Sequence, residues 1–277
     1  MSDTIEVDGA TIEYSDVGSG PPVVFVHGVY VTGALWDDVV ARLSGGYRCI
    51  APTWPFGSQR EPVGDADLGV VASGGRIVKL LEALDLSDVT LIANDTGGGI
   101  VLAALADPTL EWSRVSRLVF TNCDSFEHFP PSGFAPLVRL CRLNATLGAL
   151  LLRLLATGPG QSKFASIVTR HGIDPARRPA IFGGFVTSAT VRREAVRLTA
   201  GLHPRYTMAA TAAIETWPKP VLLVWGDGDQ LFPMAHAHRL ADAFPHAELQ
   251  TIEDSSTYVM LDQPDQTATA IQKFVGP

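Results

Sequence analysis

Cysteine is scarce: Cys49, Cys123 and Cys141 are the only three in 277 residues. Their number is odd, and none stands in a Cys-x-x-Cys pair. A disulfide framework, a zinc site and a redox site are therefore not expected, whereas a reduced, cytoplasmic setting is. Basic charge is also in deficit, with 21 Lys and Arg against 29 Asp and Glu and a formal net charge of −8. Such a chain repels phosphates, so neither nucleic acid nor a membrane surface is expected as a partner. Long apolar runs are missing as well. The longest, Leu147 to Ala156, is far shorter than the roughly 20 residues a span needs, and Arg153 interrupts it. It reads as a buried or cap helix. The N-terminal Met-Ser-Asp-Thr-Ile-Glu is acidic and has no apolar stretch, so no signal peptide is expected there. No His pair or carboxylate cluster has metal-ligand spacing. Gly97-Gly98-Gly99 lacks the Lys-Ser/Thr of a phosphate loop. No metal and no cofactor are expected.

What the chain does have is apolar mass. Apolar residues make up 46% and charged residues 18%, enough for a sizeable core and too greasy for disorder. The length fits one large domain, or a core with an inserted subdomain, as a monomer or a homodimer.

Strand and helix patterns alternate along most of the chain. Ile5–Val7 and Thr11–Tyr14 read as strands around the turn Asp8-Gly9. Val23-Val24-Phe25-Val26 is an unbroken apolar run, as in a strand buried on both faces of a parallel sheet. A helix is expected over 34–43, a strand over 48–51, and a long helix over 68–84 with Val71, Ile77, Leu80, Leu81 and Leu84 facing inward. Strands over 89–93, 115–121, 221–225 and 248–252 follow, with helices over 96–106, 235–244 and 265–275. This alternation predicts an α/β fold with a mostly parallel central sheet flanked by helices. It breaks between 125 and 216, where helical spacing cut by prolines predicts an all-helical insertion over the end of the sheet. The expected division is a core of 1–124 and 217–277 with a cap of 125–216.

The informative segment is Leu91-Ile92-Ala93-Asn94-Asp95-Thr96-Gly97-Gly98-Gly99. A buried strand runs into a helix with almost no loop. One residue must then take strained backbone angles, and its neighbours at −2 and +2 must be small; they are Ala93 and Gly97. The strained residue, Asp95, points into the crevice at the carboxyl end of the sheet. This is the spacing of a nucleophile elbow. A plain glycine-rich strand-to-helix turn, with Asp95 capping the helix, would use the same residues.

Two further segments add to the elbow. Pro22-Val23-Val24-Phe25-Val26-His27-Gly28-Val29 resembles the strand and His-Gly turn that supplies half of the oxyanion hole in the α/β-hydrolase superfamily. Leu223-Val224-Trp225-Gly226-Asp227-Gly228-Asp229, running on to Pro233, resembles that superfamily's acid loop. With an aspartate at the elbow, the chain looks most like the haloalkane dehalogenase and epoxide hydrolase branch. The resemblance implies an α/β-hydrolase fold with an inserted helical cap. It also implies that the Asp95 carboxylate attacks an electrophilic carbon to form an ester, which a histidine-activated water then hydrolyses. The Val29 and Thr96 amides would hold the oxyanion, at about 3–4 kcal/mol per donor in measured cases. Asp229 would orient the histidine. Asp124, just past a strand, lies at the other place where this branch carries its acid.

The histidine itself is missing. In Ser255-Ser256-Thr257-Tyr258-Val259-Met260-Leu261-Asp262-Gln263-Pro264 the flanks match the family, but Thr257 takes its place. A threonine hydroxyl can donate a hydrogen bond or position a water; it is no base near pH 7. The best substitute is His128, at the entry to the cap and close to Asp124. Thr96 stands where dehalogenases usually carry a halide-binding tryptophan. Epoxide hydrolases protonate the epoxide with cap tyrosines, and this insertion has one, Tyr206; Tyr30 in the oxyanion turn is a second donor. A pocket for a hydrophobic small molecule is expected, with Trp54, Phe126 and Phe129 on its walls; the insertion also supplies Phe134, Leu137, Leu140, Phe164, Phe182 and Phe185, most of which would pack the cap against the core.

Three readings stand open. The first is a hydrolase acting through an Asp95 ester with a displaced base. The second is a fold relative of lyase, isomerase or cyclase type, with Asp95 as general base or polar anchor. The third is a catalytically dead binding protein.

Overall fold

The computed structural model describes residues 2–276. Eight strands form one sheet in the order β1-β2-β4-β3-β5-β6-β7-β8. They are β1 (Ser2–Val7), β2 (Ala10–Val17), β3 (Pro22–Val26), β4 (Arg48–Thr53), β5 (Val89–Asn94), β6 (Val115–Cys123), β7 (Val221–Gly226) and β8 (Ala247–Ile252). β2 runs antiparallel to both β1 and β4; every other pair is parallel. The β1–β2 hairpin closes through Asp8 and Gly9, both at positive φ, as an Asp-Gly turn requires.

Helices α1 (Asp37–Leu43), α2 (Val70–Ala83) and α3 (Asp95–Ala104) lie between the early strands. Between β6 and β7 the chain forms only helices: α4 (Ala135–Leu143), α5 (Ala145–Leu155), α6 (Gly158–Val168), α7 (Arg178–Thr187), α8 (Ala189–Gly201), α9 (Pro204–Ala209) and α10 (Thr211–Glu215). α11 (Met234–Ala243), α12 (Val259–Asp262) and α13 (Pro264–Val275) complete the chain. β5 and β7 are buried at every position, because helices cover both faces of the sheet. That is why β7 is a continuous apolar run and β5 nearly one, interrupted by Thr90 and ended by Asn94, rather than alternating.

Three local expectations need correction. The segment 34–43 opens with a 3₁₀ turn, Gly33–Trp36, because the Thr32 hydroxyl accepts the Ala34 N–H and tightens the start. Val71 is 51% exposed rather than inward-facing. The buried stripe of α2 runs through Val70, Gly74, Ile77 and Leu81, and position 71 falls one residue off that three-to-four spacing. The greasy stretch 147–156 forms most of α5 but is not buried along its length; within the helix, only Gly148 and Leu152 are. Among the described residues no helix is long and apolar enough to cross a membrane.

The parallel order brings the carboxyl ends of β5, β6 and β7 side by side. Asp95, Asp124 and Asp229 leave the sheet at that edge, where open α/β sheets bind their ligands.

Candidate active site

β5 ends at Asn94 and α3 begins at Asp95, with no loop between them. Asp95 has φ +52°, the left-handed backbone that a side chain adopts only under constraint. The constraint is close packing. A Cβ on Gly97 would lie 2.3 Å from the His27 carbonyl oxygen, so α3 can approach the oxyanion turn only with glycine there. Replacing Gly97 by alanine forces backbone against backbone. An unfolding titration should record a loss of about 3 kcal/mol.

The Asp95 carboxylate lies against the turn after β3. A Cβ on Gly28 would sit 2.0 Å from Asp95 Oδ2. Burial pushes the Asp95 pKa up to about 7, with the Asp229 charge adding to the rise. The Thr96 and Val29 amides oppose it by hydrogen bonding to the charged form. The turn is held from behind by His27, which is fully buried. Its Nε2 accepts the Trp54 N–H at 2.8 Å, so the ring proton sits on Nδ1, 2.7 Å from the Gly28 carbonyl. Burial lowers the His27 pKa to about 4, so the ring is neutral at pH 7 and serves the turn, not the chemistry.

Asp229 is saturated with donors. Its Oδ1 accepts the N–H groups of Leu231 (2.8 Å) and Phe232 (3.2 Å). Its Oδ2 accepts Asn122 Nδ2 (2.8 Å) and the Thr257 hydroxyl (2.9 Å). Burial raises the Asp229 pKa while these four bonds pull it back. Thr257 is pinned at its other end too, since its carbonyl accepts Asn94 Nδ2 at 2.8 Å. The position where the family carries its base is thus occupied by a fully buried hydroxyl that already has its partner.

Asp124 is also fully buried, and neither of its oxygens has a well-formed hydrogen bond, although the Thr96 hydroxyl stands beside it. Burial, and then the charge of Asp95, hold its pKa well above the usual carboxylate range. Sequence reasoning did not single out Tyr258. Its ring is fully buried and its hydroxyl has no partner; burial and the Asp95 charge both raise its pKa. The one signal for it was its place next to Thr257.

Asp95, Thr96, Val29 and Tyr30 line a narrow, part-enclosed cavity beneath the insertion, with about 10 Å³ of free space. That is room for about one water. Of the apolar residues that the insertion supplies, Phe134 and Phe164 form part of its wall and Leu137, Leu140, Phe182 and Phe185 do not; Pro130, Val138, Val168, Leu202 and Leu231 complete it. The Tyr30 hydroxyl donates to Thr199 Oγ1 at 2.6 Å, because Thr199 spends its own proton on the Ala195 carbonyl.

Five other expected residues are not on this wall. His128 stacks on His236 at 3.9 Å between ring centroids, and its Nε2 lies 3.6 Å from Glu127 on the half-exposed rim. Trp54 is sealed in the core, its indole donating to the Phe25 carbonyl. Phe126 is buried beneath the Arg239 guanidinium, away from the cavity. Phe129 packs on Gly99 of α3. Tyr206 lies under Arg205, which also donates to its hydroxyl. Among the described residues no histidine lines the cavity, and no group of three or more His, Cys, Asp or Glu side chains could hold a metal ion.

Known proteins place this architecture. A decarboxylase of cis-3-alkyl-4-alkyloxetan-2-ones from Shewanella oneidensis is 25% identical over 97% of this chain and 86% of its own length. Haloalkane dehalogenase 2 of Mycobacterium tuberculosis is 24% identical over 96% of this chain and 91% of its own. The crystal structure of a haloalkane dehalogenase from Bradyrhizobium elkani superposes with a TM-score of 0.83 at 18% identity, covering 99% of this chain and 97% of the other. At that identity the likeness speaks for the fold. The sequence profile of the Alpha/beta hydrolase family matches residues 23–270. The chain belongs to the alpha/beta hydrolase family, near its haloalkane dehalogenase branch.

Proposed function

We propose that Asp95 works as a general base on a small apolar molecule held under the helical cap of residues 125–216, in a reaction that consumes no water. The carboxylate removes a proton from an acidic C–H or O–H of the substrate. The proton then returns at another atom, which is isomerisation or ring closure, or leaves with a departing group, which is elimination. Either way Asp95 ends as it began. One observation carries this reading: Thr257 gives its hydroxyl to Asp229, where a hydrolytic site needs an imidazole. A base performs best when its pKa lies near the working pH, and Asp95 at about 7 meets that condition. The oxetanone decarboxylase of Shewanella is named for a reaction whose balance also takes up no water.

A second reading has its own support. The amides of Val29 and Thr96 hold the Asp95 carboxylate where an oxyanion would form during hydrolysis of an Asp95 ester. The two readings differ in a measurable atom. Apolar ketones and β-keto esters, as proton donors, and apolar epoxides, as carbons that Asp95 could esterify on ring opening, are incubated with the protein in D₂O and followed by NMR, with parallel runs in ¹⁸O-water and intact-mass spectrometry. The expected result is exchange of the substrate α-proton, slowed 10²–10⁴-fold in Asp95→Asn, with no adduct and no ¹⁸O in Asp95. Turnover that labels the Asp95 carboxyl with ¹⁸O replaces the first reading by the second. If Asp95→Asn leaves every activity unchanged, both fail and a binding protein remains.

A further inference from the structure

We infer that the outer face of α5 is a docking surface for an anionic lipid bilayer. The inference is independent of the chemistry at Asp95. Leu147, Leu150, Leu151 and Leu154 follow i, i+3, i+4, i+7 spacing and are 48, 53, 41 and 56% exposed; Leu143, at the end of α4, is 73% exposed. The inner side of α5 is already anchored, with Gly148 closed against Cys141 and Leu152 fully buried. The leucine face is therefore surplus to the fold, and a contiguous exposed apolar stripe of this kind marks an interaction site.

Charge selects the partner. Residues 125–216 carry 11 Arg and Lys against 4 Asp and Glu, a net of +7. The rest of the chain has 10 against 25, a net of −15, which gives the overall −8. No acidic residue occurs between His128 and Ile173, a stretch that holds five basic ones. Of these, Arg139, Arg153 and Lys163 are exposed on the helices around the leucines. The chain-wide charge argues against an anionic surface only because it averages over this segregation. A twofold dimer would press the same basic patch onto itself, whereas lipid phosphates complement it. α5, at 11 residues, is too short to span a bilayer, so it lies in the interface with its leucines inserted.

The position suits delivery of an apolar substrate. A surface groove containing Arg139, Arg142 and Leu143 shares Pro130, Val138 and Leu202 with the wall of the Asp95 cavity. A molecule dissolved in the bilayer would meet that groove first.

The test uses the whole protein and sedimentation with vesicles of phosphatidylcholine, alone or mixed with phosphatidylglycerol. Binding is expected to the anionic vesicles, weakening as salt is added. Arg153→Gln should lower the partition about fivefold. Leu150→Glu with Leu154→Glu should abolish it while circular dichroism stays unchanged. Folded wild-type protein that ignores anionic vesicles overturns the inference, as does a double variant that binds as well as wild type. A wild-type dimer in size-exclusion chromatography that the same double substitution splits assigns the face to a second copy and overturns it equally.

Discussion

Asp95→Asn will stabilise the fold by about 4 kcal/mol at pH 8 and by only about half a kcal/mol at pH 4. Asparagine is isosteric with aspartate, and its oxygen can accept the same Val29 and Thr96 amides. What changes is the charge. The Asp95 pKa is raised from 3.8 to about 7 in the folded protein, first by burial and then by Asp229. The folded state therefore holds its proton more tightly than the unfolded chain does. Well below pH 3.8 both states are protonated and the site costs nothing. As pH rises from 4 to 7, the unfolded chain ionises freely while the folded one cannot, so stability falls across that window. Each pKa unit corresponds to about 1.4 kcal/mol, and the shift spans about three units. Urea midpoints for wild type and variant at a series of pH values measure the difference directly. Two curves that run parallel from pH 4 to pH 8 would mean that Asp95 titrates in the folded protein as an ordinary carboxylate, and the argument for a poised base would go with them.

That stored cost also explains why the elbow could be read from sequence. A carboxylate in a buried, amide-lined crevice has to be forced there by the backbone, and the forcing leaves a local trace: small residues at 93 and 97 around Asp95. The acid loop was legible for a similar reason, because Asp229 caps its own turn through the N–H groups of Leu231 and Phe232. Val29, Thr96 and Tyr30 were legible because both turns are built within a few residues. The cavity wall was not. Phe126, Phe129 and His128 lie in the segment that leaves β6, and their directions depend on distant partners. Arg239 covers the Phe126 ring, His236 stacks on His128, and Gly99 receives Phe129. Val138, Val168 and Leu202 line the cavity only because their helices pack in one arrangement over the sheet. Helical spacing marks which residues share a face; it does not say which face looks down.

Thr257→His should turn a protein that alkylates itself at most once into one that hydrolyses primary alkyl bromides, at least a hundredfold faster than wild type. The parts for hydrolysing the ester are present except for the base; Thr96 stands where a halide-binding tryptophan would be, so the bromide leaves without that help. The Asp229 oxygen that now accepts the Thr257 hydroxyl at 2.9 Å would accept an imidazole Nδ1–H instead. The opposite nitrogen would then take a proton from a water attacking Asp95 Cγ. The Val29 and Thr96 amides already address the carboxyl oxygen on which the resulting oxyanion forms. Position 257 is fully buried, so the larger ring strains its surroundings and should cost about 1–3 kcal/mol of stability. The assay should therefore be run well below the melting temperature of the variant. Bromide release reports the first half-reaction and alcohol release the second. Wild type should release no more than one bromide per chain and no alcohol, whereas the variant should release both in equal and continuing amounts. Continuous alcohol release by wild type would reveal a working base elsewhere in the cavity, and the water-free reading of Asp95 would then be wrong.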